Sequence, residues 1–138
     1  MLNSRHELLG NEFYDKHEHL YILHDIIDSK DFIALYFGSW ANPGCQKFTN
    51  VLESFYREVN SFQKNLEIIY VSGDRNIKEY YRHMQEVSFL SMPFQSYMSK
   101  KVRFVFNVTE IPKLVFIRAR DGSVASDDGI SLLYRLGP

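Results

Sequence analysis

The chain has 138 residues with 16 basic and 17 acidic side chains, a net charge of −1, so it carries no electrostatic footprint for nucleic acid or an anionic membrane. Hydrophobic residues make up 45% and aromatics 15%, which excludes a disordered chain and fits one globular domain spanning residues 1–138. No apolar run approaches the ~20 residues of a membrane helix; the first residues lack a signal-peptide core; and one cysteine without a leader points to a reducing, cytosolic or nuclear setting.

Residues 1–12 are polar and are expected to be loosely ordered. Between Phe13 and Ile27 the pattern is weak: Leu20, Tyr21, Leu23 and Ile26-Ile27 suit a short strand and then a helical turn ending at Asp28-Ser29-Lys30. His17-Glu18-His19 would put two imidazoles on one face of a strand. His6, His24 and His83 have no matching spacing, so no metal site is assigned and the pair is read as solvent-exposed. Phe32-Ile33-Ala34-Leu35-Tyr36-Phe37 is apolar without alternation, the mark of a strand buried on both faces.

After Gly38-Ser39-Trp40-Ala41 the period changes. Phe48, Val51, Leu52, Phe55, Val59 and Phe62 recur at helical spacing, with Glu53, Arg57, Glu58 and Asn60 on the other face. Asn42 is a good N-cap and Pro43 suits the first helical position, which places Cys45 in the first turn. There the helix dipole favours a thiolate. Against a working thiol stands a small buried residue, the commoner fate of a free cysteine. For Asn42, the cap explains the residue without further chemistry.

Leu66 to Val71 reads as a second buried strand leaving at Ser72-Gly73-Asp74, and Ile77, Tyr80, Tyr81 and Met84 mark a second helix over 76–86 that Asp74 could cap. The stretch Val87 to Met92 leads into Pro93, and Tyr97, Met98, Lys101 and Val102 suit a third helix. Lys113 to Arg118 is strand-like, Asp121-Gly122 is a hairpin signal, and Ser123 to Ser126 would return antiparallel. Strand-helix-strand-helix order argues for an α/β fold with parallel strands at the centre of a mixed sheet and an antiparallel C-terminal hairpin, flanked by helices.

Taken together, Tyr36 to Thr49 with Leu52 and Phe55-Tyr56, then Val71-Ser72-Gly73-Asp74, Met92-Pro93-Phe94 and Phe106 to Val115, resemble the tryparedoxin and nucleoredoxin branch of the thioredoxin superfamily. The match runs from about Phe32 to Gly129 and is most similar to the nucleoredoxin-like proteins, which include the rod-derived cone viability factors. The resemblance implies a thioredoxin-like fold, a cis-proline at Pro112, and thiol-disulfide chemistry without a cofactor. The family ends in a longer helix over one sheet face; here that helix is expected to be short or missing, leaving an apolar patch suited to a partner or a second copy in a homodimer.

The chain departs from the pattern at its centre. Family members with redox activity carry C-x-x-C, and aligned without gaps Asn42 stands at the attacking cysteine and Cys45 at the resolving one. Trp40 is one residue early, with Ala41 beside the substituted position; a gapped alternative restores Trp40 and also leaves no first cysteine. Trp40, Ala41, Asn42, Pro43, Gly44, Ile111 and Pro112 would line a shallow groove for a protein or peptide segment. Two functions follow: a binding or signalling module without dithiol exchange, or a monothiol protein whose Cys45 forms mixed disulfides with glutathione or a partner.

Overall fold

The computed structural model describes residues 4–28, 30–63 and 65–136. In chain order the elements are α1 (Ser4–Leu9), β1 (Phe13–Tyr14), β2 (Leu20–Tyr21), α2 (Leu23–Ile27), β3 (Phe32–Gly38), α3 (Pro43–Val59) and β4 (Leu66–Ser72). They continue with α4 (Ile77–Gln85), β5 (Leu90–Ser91), α5 (Tyr97–Val105), β6 (Lys113–Arg118), β7 (Val124–Ser126) and α6 (Gly129–Leu136). The strands form one mixed sheet ordered β2-β1-β5-β4-β3-β6-β7. Strands β3, β4 and β5 are parallel neighbours, and the remaining pairs are antiparallel. Among the described residues no helix is long and apolar enough to cross a membrane.

Strand β3 lies between β4 and β6, and its side chains divide strictly by parity. Ile33, Leu35 and Phe37 join Leu9, Leu23, Ile26 and Val102 from α1, α2 and α5. Ala34 and Tyr36 join Phe48 and Leu52 of α3, Tyr80 and Met84 of α4, and Leu133 of α6. Helices on both faces are why the strand reads apolar at every step. Each Leu, Ile, Val, Phe or Met side chain among them contributes roughly 1.5–3 kcal/mol on leaving water.

Several expectations need correction. Loose chain is expected over residues 1–12, but Ser4–Leu9 is helical because Leu9 is a core residue and Lys101 Nζ donates to the Glu7 carbonyl at 2.6 Å. Residues 1–3, and Ser29 of the expected helical turn, lie outside the described residues. Strands β1 and β5, each two residues long, give no periodic signal and exist through their neighbours, β1 between β2 and β5, and β5 between β1 and β4. The final helix is short, as the sequence leads one to expect, but it is not missing: α6 seals Leu114 and Phe116 of β6. The expected bare face shrinks to an apolar groove of about 410 Å³ at one end of the sheet, between Phe55 and Val59 of α3 and Phe116, Ala125 and Leu132.

The helix faces also shift. In α3 the buried set is Cys45, Phe48, Thr49, Leu52 and Glu53, whereas Val51 faces solvent and Phe62, 98% exposed, lies beyond the helix. Glu53 is buried because its carboxylate accepts from Ser88 N, Ser88 Oγ and Arg57 Nε, tying α3 to the approach to β5. In α4 the buried stripe is Tyr80, His83 and Met84, while Ile77 and Tyr81 are exposed.

His83 belongs to a polar seam through this half of the core. Tyr36 and Tyr70 are register partners on β3 and β4, with ring centroids 5.5 Å apart. Tyr70 donates to Asp74 Oδ2 at 2.7 Å, so its oxygen accepts from His83 Nδ1–H, also at 2.7 Å. His83 Nε2 is then the acceptor for Thr49 Oγ1 at 2.8 Å, and Thr49 in turn accepts from Tyr36 at 2.7 Å. One neutral tautomer satisfies every member, joining α3, α4, β3 and β4.

Two outcomes test this packing. A Cβ at Gly129 would stand 2.6 Å from the Leu114 carbonyl oxygen; Gly129→Ala is expected to lose about 1–3 kcal/mol in urea unfolding, as α6 backs away from β6. Burial pushes the His83 imidazole down from 6.5 to about 4, against the opposing pull of the Asp74 charge. Between those values the unfolded chain binds the proton and the folded one does not. Stability is therefore full above about pH 6.5 and falls as pH drops toward 4, by about 3 kcal/mol. Urea unfolding across that window should show the decline in the natural chain and a flattened profile in His83→Gln.

Candidate functional site

The site forms where β3 runs out and α3 begins. Asn42 is the N-cap, in extended backbone, and its Oδ1 accepts from Cys45 N at 3.0 Å; Pro43 takes the first helical position. The turn is closed by Asn42 N donating to the Ser39 carbonyl at 3.2 Å and by Gln46 Nε2 donating to the Trp40 carbonyl at 2.8 Å. Cys45 thus sits in the first turn, where the cap and proline chemistry of the sequence puts it.

Its thiol is not offered to solvent. Cys45 is 0% exposed, beneath the turn and beside Tyr36, whose hydroxyl also reaches the Cys45 carbonyl at 3.2 Å. Burial pushes the thiol up, and the backbone N–H of Ser39 and the Tyr36 hydroxyl pull it down without overcoming that cost. Thiolate character, which a dipole at the helix start would promote, is suppressed by desolvation. The geometry is that of a packed core residue.

Around this turn the expected groove residues divide between two segments. Ala41, Pro43 and Gly44 are exposed and Trp40 and Asn42 half-buried, all from the β3–α3 turn. Ile111 and Pro112, both half-buried, precede β6 and are joined by a cis peptide bond. Pairing of Phe37 with Lys113 carries Pro112 to the end of β3, and a Cβ on Gly44 would lie 3.6 Å from Pro112 Cδ. The two segments therefore meet. Among the described residues neither the N–H nor the carbonyl of Ile111 has a hydrogen-bond partner.

Asp74 holds the other flank, in a role different from the cap the sequence suggests. Asn76 caps α4 itself, its side chain accepting from Glu79 N. Asp74 instead turns inward: Oδ1 accepts from Trp40 N at 2.6 Å, and Oδ2 accepts from the hydroxyls of Tyr70 at 2.7 Å and Ser72 at 2.6 Å. Above it the Arg82 guanidinium lies 5.2 Å from the Trp40 ring centre. Motif reading names Asp74 but in the wrong role, and gives no role of their own to Tyr36, Tyr70, Thr49, His83 and Arg82. A signal exists for the buried ones: each is a hydrogen-bonding side chain set within an apolar run or stripe, where it must find a partner.

The His17 and His19 rings stand 6.0 Å apart, and His19 Nδ1 contacts Asp15 Oδ2 at 3.0 Å, so this motif serves the β1–β2 turn. Asp15 also accepts from the His17 and His19 N–H groups and from Tyr21. Among the described residues no cluster of three metal-ligating side chains forms.

Comparison with known proteins agrees with this geometry. A family model described as thioredoxin-like matches residues 30–124. Nucleoredoxin of Danio rerio is 33% identical over 102 residues, covering 71% of this chain and 24% of the relative; the tryparedoxin of Trypanosoma brucei brucei is 32% identical over 93 residues, covering 67% and 64%. The chain thus spans about a quarter of the nucleoredoxin's length. Among solved structures, thioredoxin from Wuchereria bancrofti superposes with a TM-score of 0.85 at 27% identity, over 95% of this chain and 90% of that one. Tryparedoxin I from Crithidia fasciculata gives 0.85 at 23% identity, over 96% and 91%, a likeness of fold. With the greater part of its length matched by that model, from the buried β3 strand to the C-terminal hairpin, the chain belongs to the thioredoxin-like family.

Proposed function

We propose that this chain is a nucleoredoxin-like binding module that has lost dithiol-disulfide exchange and holds an extended protein segment in the groove beside Pro112. The observation that carries the reading is Cys45, the only cysteine, fully buried behind a capping asparagine. Exchange between a dithiol and a disulfide needs an accessible attacking thiolate and a second sulfur to release the product. The chain supplies neither. What remains is a shallow surface of Trp40, Ala41, Pro43 and Pro112 with the unpaired peptide groups of Ile111 at its edge. Such groups are the means by which a sheet edge or loop captures an extended segment.

The burial of Cys45 also weighs against a monothiol role with glutathione, since the mixed disulfide would require the first turn of α3 to open. Alkylation of the folded protein with iodoacetamide, followed against pH and compared with the denatured chain, separates the readings. The native thiol is expected to react at least about a hundredfold more slowly than the denatured one, with no inflection below ~8.5. Fast native labelling with an inflection well below that value would establish the monothiol reading in its place.

A gain-of-function variant tests the other half. Asn42→Cys places a sulfur at the N-cap, beside the turn that Cys45 occupies. It is expected to forfeit about 1 kcal/mol of capping, to form an intramolecular disulfide, and to reduce insulin with dithiothreitol as donor, where the natural chain does not. Insulin reduction by the natural chain that disappears in Cys45→Ser would overturn the binding-module reading.

A further inference from the structure

A second concavity, of about 370 Å³, opens beside α4, between that helix, the β1–β2 turn and Pro93-Phe94. Its walls carry four aromatic rings: Tyr14 from β1, Tyr80 and Tyr81 from α4, and Phe94. Tyr80 anchors the set, with ring centroids 5.4 Å from Tyr81 and 5.5 Å from Phe94, and with its hydroxyl bonded to Ser91 Oγ. Tyr81 remains 41% exposed at the mouth.

The charges on this cavity are not balanced. Glu12, Asp15 and Glu18 face it against one cation, Lys16. Asp15 is engaged within the β1–β2 turn. The two glutamates accept from tyrosines of the cavity, Tyr14 to Glu12 Oε2 at 2.5 Å and Tyr81 to Glu18 Oε1 at 2.9 Å. Those bonds leave the second oxygen of each carboxylate without a partner among the described residues. A phenol that donates to a carboxylate gains electron density in its ring, which deepens the negative face a cation seeks.

We propose that this cavity receives the side chain of an arginine presented by a partner protein, its guanidinium stacked on the tyrosine faces and paired with Glu12 and Glu18. Arginine fits better than lysine because its plane stacks on aromatic rings, its donors match carboxylate oxygens, and it is weakly hydrated. The rim favours an arginine within a protein segment over a free cation: Ile77, on the lining, is 51% exposed and gives neighbouring residues of the segment an apolar footing.

The test is an amide-resolved NMR titration of the full chain with Nα-acetyl-arginine amide and, separately, with its neutral isostere Nα-acetyl-citrulline amide. Arginine amide is expected to shift the Tyr14, Glu18, Tyr81 and Phe94 amides, and citrulline amide to bind about fivefold or more weakly. Glu12→Gln/Glu18→Gln should weaken arginine binding by a similar factor with the rest of the spectrum unchanged, and Tyr81→Leu, at an exposed position, should do the same. Equal binding of the two probes, an affinity unaltered in both variants, or shifts confined to Trp40 and Ile111 in the other groove would overturn the proposal. A null result at the α3 groove leaves this test unaffected, since the two sites share no residue.

Discussion

Two tyrosines side by side in the middle of a sheet create an obligation that shapes this half of the molecule. Tyr36 and Tyr70 are register partners on β3 and β4, both buried, with both hydroxyls on the α3 and α4 side. A buried hydroxyl without a partner costs about 1–3 kcal/mol in protein settings. Thr49 and His83 answer that demand from the two helices and Asp74 from the end of β4, so one chain of hydrogen bonds fixes the position of α3, of α4 and of the turn carrying Trp40. Apolar packing of Phe48, Leu52 and Met84 supplies the bulk of the burial. The polar seam supplies the register, since apolar contacts tolerate sliding and hydrogen bonds between fixed atoms do not.

The same seam limits the chemistry of the site. A carboxylate at the end of a strand beside a helix start could serve as an acid or base for a neighbouring thiol. Here both oxygens of Asp74 already accept from Trp40 N, Tyr70 and Ser72. Its work is positional. Likewise Asn42 keeps the cap that any residue at this place must provide, since its Oδ1 satisfies Cys45 N. A helix start is preserved by any residue that supplies this cap, because capping and nucleophilic attack ask different things of the same position. The scaffold of the site is thus held by contacts that involve no thiol.

Where one element decided its own conformation, the sequence was legible. The unbroken apolar run of β3, the Asn42-Pro43 start of α3, the span of β6 and the turn at Gly122, whose φ is +77°, each carry their cause within a few residues. What was not legible depends on distant partners. Leu90-Ser91 is a strand because β4 and β1 flank it, and Ser4–Leu9 is a helix in a place where Leu9 can reach the core. Helical spacing alone chose Ile77 and Tyr81 for the buried face of α4, because both are apolar enough to qualify. The structure turns the helix so that His83 faces inward, since the seam needs an imidazole there more than the core needs an isoleucine. In the same way Glu53, assigned to the solvated face, is buried by the N–H of Ser88 thirty-five positions away.

That rotation of α4 links the two surfaces proposed for binding. With Tyr80, His83 and Met84 against the sheet, Arg82 is delivered to the Trp40 ring on one side of the helix, while Ile77 and Tyr81 are left on the other, at the mouth of the aromatic cavity. An α4 turned to bury Ile77 and Tyr81 would strip the cavity of its exposed tyrosine and leave Tyr70 and Thr49 without their shared partner. The imidazole that completes the core thus also determines which side chains α4 shows to solvent. Both surfaces rest on helices and strands held by buried hydrogen bonds, and neither depends on a cysteine. With the one thiol sealed beneath a cap, the binding proposed for either surface asks nothing of Cys45 and rests on a frame that the buried seam keeps rigid.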